Sequence, residues 1–231
     1  MTMEPPPPPA SPPPPPPASG PRELRVGDAV MYGWNVYWKH LGSLVVIAIV
    51  IFAIEIGVSV VGGAIGGGAG IQALVQIVGA LIGLLLTLGW MRVSIDITRG
   101  QRPEVADLFK AQGFGPFVLA SILFYIGFVV GLILLVVPGI IFAVVYGFYG
   151  FVIAERGDGV GVGEALKRSA EITRGHRWQL IGLAIVLFLI NVVGFLACGI
   201  GLLFTWGISI LAWAYAYRTL SGETVERNSW S

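Results

Sequence analysis

Residues 162–177 read VGEALKRSAEITRGHR, the most water-compatible helical pattern in a chain that is otherwise mostly apolar. Wound as a helix, the segment sets Val162, Ala165, Leu166, Ser169, Ile172 and Thr173 on one face. Glu164, Lys167, Arg168, Glu171 and Arg174 fall on the other. Gly175 follows in the position where helices end. A helix of this kind is expected to lie along a membrane surface, with the apolar runs on either side arranged around it.

Composition sets the class. The 231 residues are 55% hydrophobic and only 12% charged, with a mean hydropathy of +0.82. A water-soluble domain of this length cannot hide so much apolar surface, so the chain reads as an all-α, multi-pass membrane protein. The single Cys198 excludes an internal disulfide and is read as a small apolar residue at a helix end. Residues 1–21 form a proline-rich tail, extended and outside any core, with neither the basic start nor the apolar centre of a signal peptide. Residues 22–220 are the membrane domain and 221–231 a short second tail.

Three apolar runs carry the topology: 41–93, interrupted by GGAIGGGAG at 62–70, then 117–154, then 178–217. One crossing takes roughly 20 residues, so each run is read as a helical hairpin of two crossings. The basic residues agree. Arg22, Arg25 and Lys39 precede the first run, and Arg92, Arg99, Arg102 and Lys110 follow it. Arg156, Lys167, Arg168, Arg174 and Arg177 separate the second from the third, and Arg218 and Arg227 come last. None falls in a hairpin tip, which places all of these flanks, and both termini, in the cytoplasm. The six expected spans are 41–61, 71–93, 117–135, 139–154, 178–196 and 199–217. Pro138 and Gly139 are expected to form the second tip, and Cys198, Gly199 and Gly201 the third. Trp34, Trp38, Trp90, Trp178, Tyr215 and Tyr217 are expected as an aromatic belt at the inner interface.

An offset of 136 residues lays 26–41 on 162–177, so that VGDAV meets VGEAL and His40 meets His176. Without a gap, IAIVIFAIE at 47–55 then meets LAIVLFLIN at 183–191, with five identities in nine. IGLLLTLG at 82–89 matches IGLLFTWG at 200–207 in six positions of eight once the tip shortens. These matches point to an internal parallel duplication. The middle segment 104–154 has the same plan with little sequence match, a polar helix carrying Val105, Leu108 and Phe109 and then a hairpin. The expected architecture is three units, each a short interfacial helix followed by two spans, around a pseudo-threefold arrangement. If the second span copies the sixth, Arg92 and Asp96 sit deeper than drawn here.

Glu55 is the charged side chain well inside a span, where a carboxylate costs on the order of 3 kcal/mol unless protonated or paired. Gln76 and Asn191, the repeat counterpart of Glu55, fall at similar depth, and the three are candidates for one intramembrane polar cluster. It would serve either as hydrogen-bonded glue between helices or as a proton or ion site. Pairs such as Gly79 with Gly83 and Gly127 with Gly131 mark close helix approach, inside the bundle or at a dimer face. Lys167, Arg168, Arg174 and Arg177 form a basic cytoplasmic interface able to hold anionic lipid, although topology alone explains them. No phosphate-binding loop, nucleophile elbow or paired metal-ligand spacing occurs. His40 and His176 lack a third ligand, so no metal and no cofactor is expected.

The segment 138–182 resembles a broad group of uncharacterised bacterial six-pass membrane proteins, similar to the membrane domain that accompanies some glycerophosphoryl diester phosphodiesterases. In that group a Pro-Gly opens a span, an acidic residue closes it, and an E-A-L-x-x-S helix ending at Gly follows. Here these are Pro138 and Gly139, Glu155, residues 164–169, and Gly175. The resemblance implies fold and topology and no agreed activity, and the proline-rich start resembles actinobacterial members. The expectation is a non-enzymatic structural or accessory protein of the bacterial plasma membrane. The alternative is a transporter or binder of lipid or a small solute that uses Glu55 and Asn191. An enzyme would require Asp96, Glu155 or His176 to converge on one cleft. Expected partners are the lipid bilayer, anionic lipid, and a second copy or another membrane protein; no nucleic acid is expected.

Overall fold

The computed structural model describes residues 24–65, 68–196 and 200–225, and among them there are helices and no strand. The proline-rich tail, Cys198 and Gly199 lie outside the described residues. In chain order the helices are α1 (Val26–Lys39), α2 (Leu41–Ala64), α3 (Ala69–Thr98), α4 (Phe114–Leu134), α5 (Val136–Tyr146), α6 (Tyr149–Arg156), α7 (Val162–Thr173), α8 (Arg177–Leu196) and α9 (Ile200–Ser221). Five helical segments among the described residues are long and apolar enough to cross a membrane: α2, α3, α4, α5 with α6 taken together, and α8. Their outer faces expose Phe52, Leu74, Ile133 and Phe188, apolar surface that suits contact with lipid.

The amphipathic segment forms α7 as its pattern predicts, with Ala165, Ser169, Ile172 and Thr173 buried. It ends ahead of Gly175, whose φ of 87° lies in the left-handed region that favours glycine. Elsewhere the structure departs from the expected pattern. The second tip falls at the extended Leu135, not at Pro138, because proline is tolerated in a first helical turn, where its missing N–H leaves no bond unmade. The polar helix expected to open the segment 104–154 is only a five-residue 3-10 turn, Val105–Phe109. It is confined between Gly100 and Gly113, both with positive φ, and of its expected apolar face only Leu108 is fully buried while Phe109 is exposed. In the aromatic belt, Trp90 and Tyr217 are core residues, whereas Trp34, Trp38 and Trp178 are exposed.

The fourth span is interrupted. After Tyr146 the chain leaves the helix through Gly147 and Phe148 and re-enters it at Tyr149. The groups freed by the break are met by α7. Ser169 Oγ donates to the Val145 carbonyl at 2.9 Å and accepts the Phe148 N–H at 3.1 Å, and the Thr173 hydroxyl lies 3.3 Å from the same carbonyl. A broken helix is tolerated at membrane depth where protein re-satisfies the backbone, as here.

Packing follows a cyclic order. The 3-10 turn lies on α3, α7 lies on α5 and α6, and α1 lies on α9. Each short segment therefore docks on the helix that closes the preceding hairpin. The hairpins α2–α3, α4–α5 and α8–α9 pack internally, and α3 touches both α6 and α9. Close approach requires glycine at these junctions. A β-carbon on Gly33 would stand 2.5 Å from the Ile208 carbonyl oxygen of α9. Gly89 faces the Leu108 backbone, and Gly207 faces the Tyr37 ring. Gly79, Gly83, Gly127 and Gly131 face Val58, Glu55, Phe142 and Gly139, so all four serve contacts within their own hairpins. The last helix, α9, contacts α1, α2, α3, α7 and α8 and buries Ile208, Leu211, Ala212, Ala214, Ala216, Tyr217 and Leu220.

Candidate functional site

Two features of the bundle have a lining that can do chemistry. The first is a cavity of about 680 Å³ bordered by α3, α4, α5, α6, α8 and α9. Its rim carries Ile140 and Trp206, both exposed and both near the tip ends of their helices, and its floor is the break at Gly147 and Phe148. The walls are apolar and aromatic, with Met91, Phe128 and Trp213 among them, apart from one polar pair. Asn191 Nδ2 donates to the Leu187 carbonyl at 2.8 Å and to Ser209 Oγ at 2.8 Å, and Ser209 Oγ donates to the Thr205 carbonyl at 2.7 Å.

The second feature is a small cleft of about 160 Å³ at the end of the bundle that carries the basic residues. Glu155 is its hub. Its Oε1 pairs with Arg99 at the end of α3 and lies 3.7 Å from Arg218 Nη1 of α9, and its Oε2 accepts the Tyr217 hydroxyl at 2.6 Å. One carboxylate thus joins the inner ends of α3, α6 and α9. Arg218 also pairs with Glu223 and donates to the Thr224 carbonyl at 3.0 Å. Arg92 is buried and donates to the Ala154 carbonyl at 3.2 Å and to the Lys110 carbonyl. Asp96 pairs with Arg99 at 3.8 Å rather than with Arg92. Asp107 binds Lys110 at 2.5 Å, and this hydrogen bond holds the ammonium above its ordinary pKa. Asp96 and Glu155 therefore share the cleft, and His176 is not in its lining. Cations and carboxylates are interleaved and mutually paired there. Among the described residues no group of three His, Cys, Asp or Glu is placed to hold a metal ion.

The three residues expected as an intramembrane cluster lie apart in their bonding. Glu55 and Gln76 are exposed on α2 and α3, and Glu55 Oε1 rests over Gly83, 3.1 Å from where a β-carbon would stand. Asn191 is engaged with Ser209 instead, and no hydrogen bond joins any two of the three. Of the basic interface, Lys167, Arg174 and Arg177 are exposed and Arg168 sits 3.6 Å from Glu171. Sequence reasoning passed over Ser209, which stands across the third tip from Asn191. Glu155 was read as a closing residue and, with Asp96 and His176, as a candidate for a shared cleft; its partners Arg99, Tyr217 and Arg218 were not read, because they come from remote segments.

No curated protein and no solved structure matches the chain. One family model does, that of a domain of unknown function (DUF7847), over residues 108–223. The matched part runs from the 3-10 turn through the broken span, the docking helix α7 and the central helix α9. The match carries no tie to phosphodiesterase-associated membrane domains, which the 138–182 motif resembles. Covering half of the chain, it makes this protein a member of the DUF7847 family.

Proposed function

We propose that this is a non-catalytic, multi-pass protein of the bacterial plasma membrane that holds the apolar part of a lipid in the cavity between α4–α5 and α8–α9. The observation that carries this is the cavity itself: about 680 Å³, apolar walls, and a rim exposed on the faces that suit lipid contact. Volumes of this order accommodate small ligands, and inside a bilayer the abundant apolar molecule at such an opening is a lipid chain. The cleft at Glu155 then acts as a clamp on the helix ends, and no catalytic step is assigned to it.

The topology that accompanies this proposal is six crossings in three units, with both termini cytoplasmic and α9 as the sixth crossing. The cyclic docking of short segments on closing helices supports it. So does the burial of positions 136 residues apart. Ala29 and Ala165, Leu44 and Leu180, and Ile47 and Leu183 are buried in both halves, and the Leu44 and Leu180 N–H groups donate to the His40 and His176 carbonyls at 3.0 Å each. The likeness to phosphodiesterase-associated membrane domains is proposed at the level of topology alone.

Native mass spectrometry of the full chain, released from mild detergent, tests the proposal. A lipid adduct retained by the wild type and lost in Ala184→Phe, which fills the cavity from α8, is the expected result. Bare protein, or an adduct indifferent to Ala184→Phe, overturns it. A stoichiometric protein partner without lipid would favour an accessory role instead.

A further inference from the structure

We infer that the cavity selects a neutral lipid whose head is a hydroxyl, held by Asn191 and Ser209; this rests on the cavity being a lipid site. The orientation of the Asn191 amide is fixed by its partners. The Leu187 carbonyl can only accept, so the group facing it at 2.8 Å is the NH2. The same nitrogen donates its other hydrogen to Ser209 Oγ, whose own hydrogen is committed to the Thr205 carbonyl. Both donors of the amide and the donor of the serine are thereby used inside the protein. What remains toward the cavity is acceptor capacity, Asn191 Oδ1 and a lone pair of Ser209 Oγ. A ligand that complements it must bring a hydrogen to donate.

Charge narrows the class further. Among the described residues no Lys, Arg, His, Asp or Glu lines the cavity. An anionic carboxylate or phosphate would therefore enter an apolar site without a counter-ion, facing acceptor oxygens, and a charged amine would leave water without a carboxylate to meet it. A hydroxyl pays neither penalty. It donates to Asn191 Oδ1. The head thus sits at the polar pair on α8 and α9, and the chain fills the apolar space beside Phe128 and Phe148. Fatty alcohols, prenols and diacylglycerols have this chemistry, whereas ionised fatty acids and the charged heads of phospholipids do not.

The test uses the full chain in nanodiscs and two photoreactive probes identical in their diazirine-bearing chain, a fatty alcohol and the corresponding fatty acid. Labelling is done at pH about 9, where the acid is ionised. Labelling of Phe128 and Phe148 in the cavity is compared with labelling of Phe188 on the outer surface. The expected result is cavity labelling by the alcohol about tenfold above the acid, as the loss of one good hydrogen bond implies, with Phe188 labelled equally by both. Asn191→Leu should bring the alcohol down to the level of the acid. Equal labelling of the cavity by both probes, above the Phe188 level, overturns the hydroxyl preference while leaving the lipid cavity standing. An undiminished preference in Asn191→Leu removes Asn191 as its cause. Cavity labelling no higher than Phe188 with either probe overturns the lipid cavity itself. If Asn191→Leu does not fold, the ratio of the two probes on the wild type still decides.

Discussion

Ser169 of α7 and Val145 of α5 are joined by a hydrogen bond of 2.9 Å that closes a gap in a different helix from the one that carries the serine. Because the same hydroxyl accepts the Phe148 N–H, Ser169→Ala leaves a buried donor without its partner. The expected loss is about 1–3 kcal/mol of stability, and Ser169→Cys, of similar bulk but with a weakly hydrogen-bonding thiol, should do little better. Thermal unfolding of the purified variants in one detergent measures both.

The Glu155 hub predicts unequal costs. With side-chain exposures of 13% for Glu155 and 7% for Arg218, Glu155→Ala leaves Arg218 with Glu223 as its one carboxylate and the Tyr217 hydroxyl without its acceptor, and should cost about 1–3 kcal/mol. Tyr217→Phe removes one neutral donor and should cost about 1 kcal/mol. Double-mutant cycles on Arg218 with Glu155, read by chemical unfolding, should give a coupling that persists at high salt, since buried pairs are weakly screened.

Glycine substitutions should separate by location. Gly33→Ala drives a β-carbon against the Ile208 carbonyl, backbone that cannot rotate away, and is expected to destabilise by about 1–3 kcal/mol. Gly182→Ala in α8 meets only Val26 Cγ2, at an ordinary 3.6 Å, and should be neutral or stabilising by up to about 1 kcal/mol. Melting temperatures of the two single variants decide the ordering.

Glu55 has neither a hydrogen bond to Gln76 or Asn191 nor a cationic partner in its contacts. Glu55→Leu is therefore expected to raise stability or membrane insertion, by up to about 3 kcal/mol on an insertion scale, and Glu55→Gln to be tolerated. A Glu55→Leu protein that folds less well than Glu55→Gln would mean that the carboxyl acts as glue after all.

In a Cys198→Ser background, Gly68→Cys and Gly159→Cys place single thiols in loops on opposite sides of the proposed membrane region. A membrane-impermeant maleimide applied to intact cells should label Gly68→Cys and spare Gly159→Cys until the cells are opened. The reverse pattern would invert the proposed orientation, and labelling of both from outside would remove the six-crossing topology.

How far these features were legible depends on the range of the interaction that makes each one. The amphipathic face of α7 and its end before Gly175 are local properties and were readable from residues 162–177. The long apolar helices were readable for the same reason, and five helical segments among the described residues are long and apolar enough to cross a membrane. The interruption at Gly147 was not readable, because every residue around it is compatible with a continuous apolar helix, and the break is sustained by Ser169, twenty-four positions beyond Val145. Glu155 escaped because its partners lie on α3 and α9. Asn191 was read as polar in an apolar span with Glu55 and Gln76 as its neighbours, whereas its hydrogen bonds go to Leu187 and Ser209. The repeat alignment equates Asn191 with Glu55 without placing them side by side, and the hairpin brings Ser209 to Asn191 instead.

The docking of α1 on α9 has a consequence in time. The Tyr37 hydroxyl bonds to the Leu203 carbonyl across 166 residues of chain, and at ordinary rates of synthesis that interval is roughly ten to thirty seconds. Throughout it the face of α1 that will hold Gly33 and Tyr37 has been made but its receptor has not. This contact therefore waits for α9, and a ribosome that stops before α9 leaves α1 with an unclaimed apolar side, a natural handle for quality control.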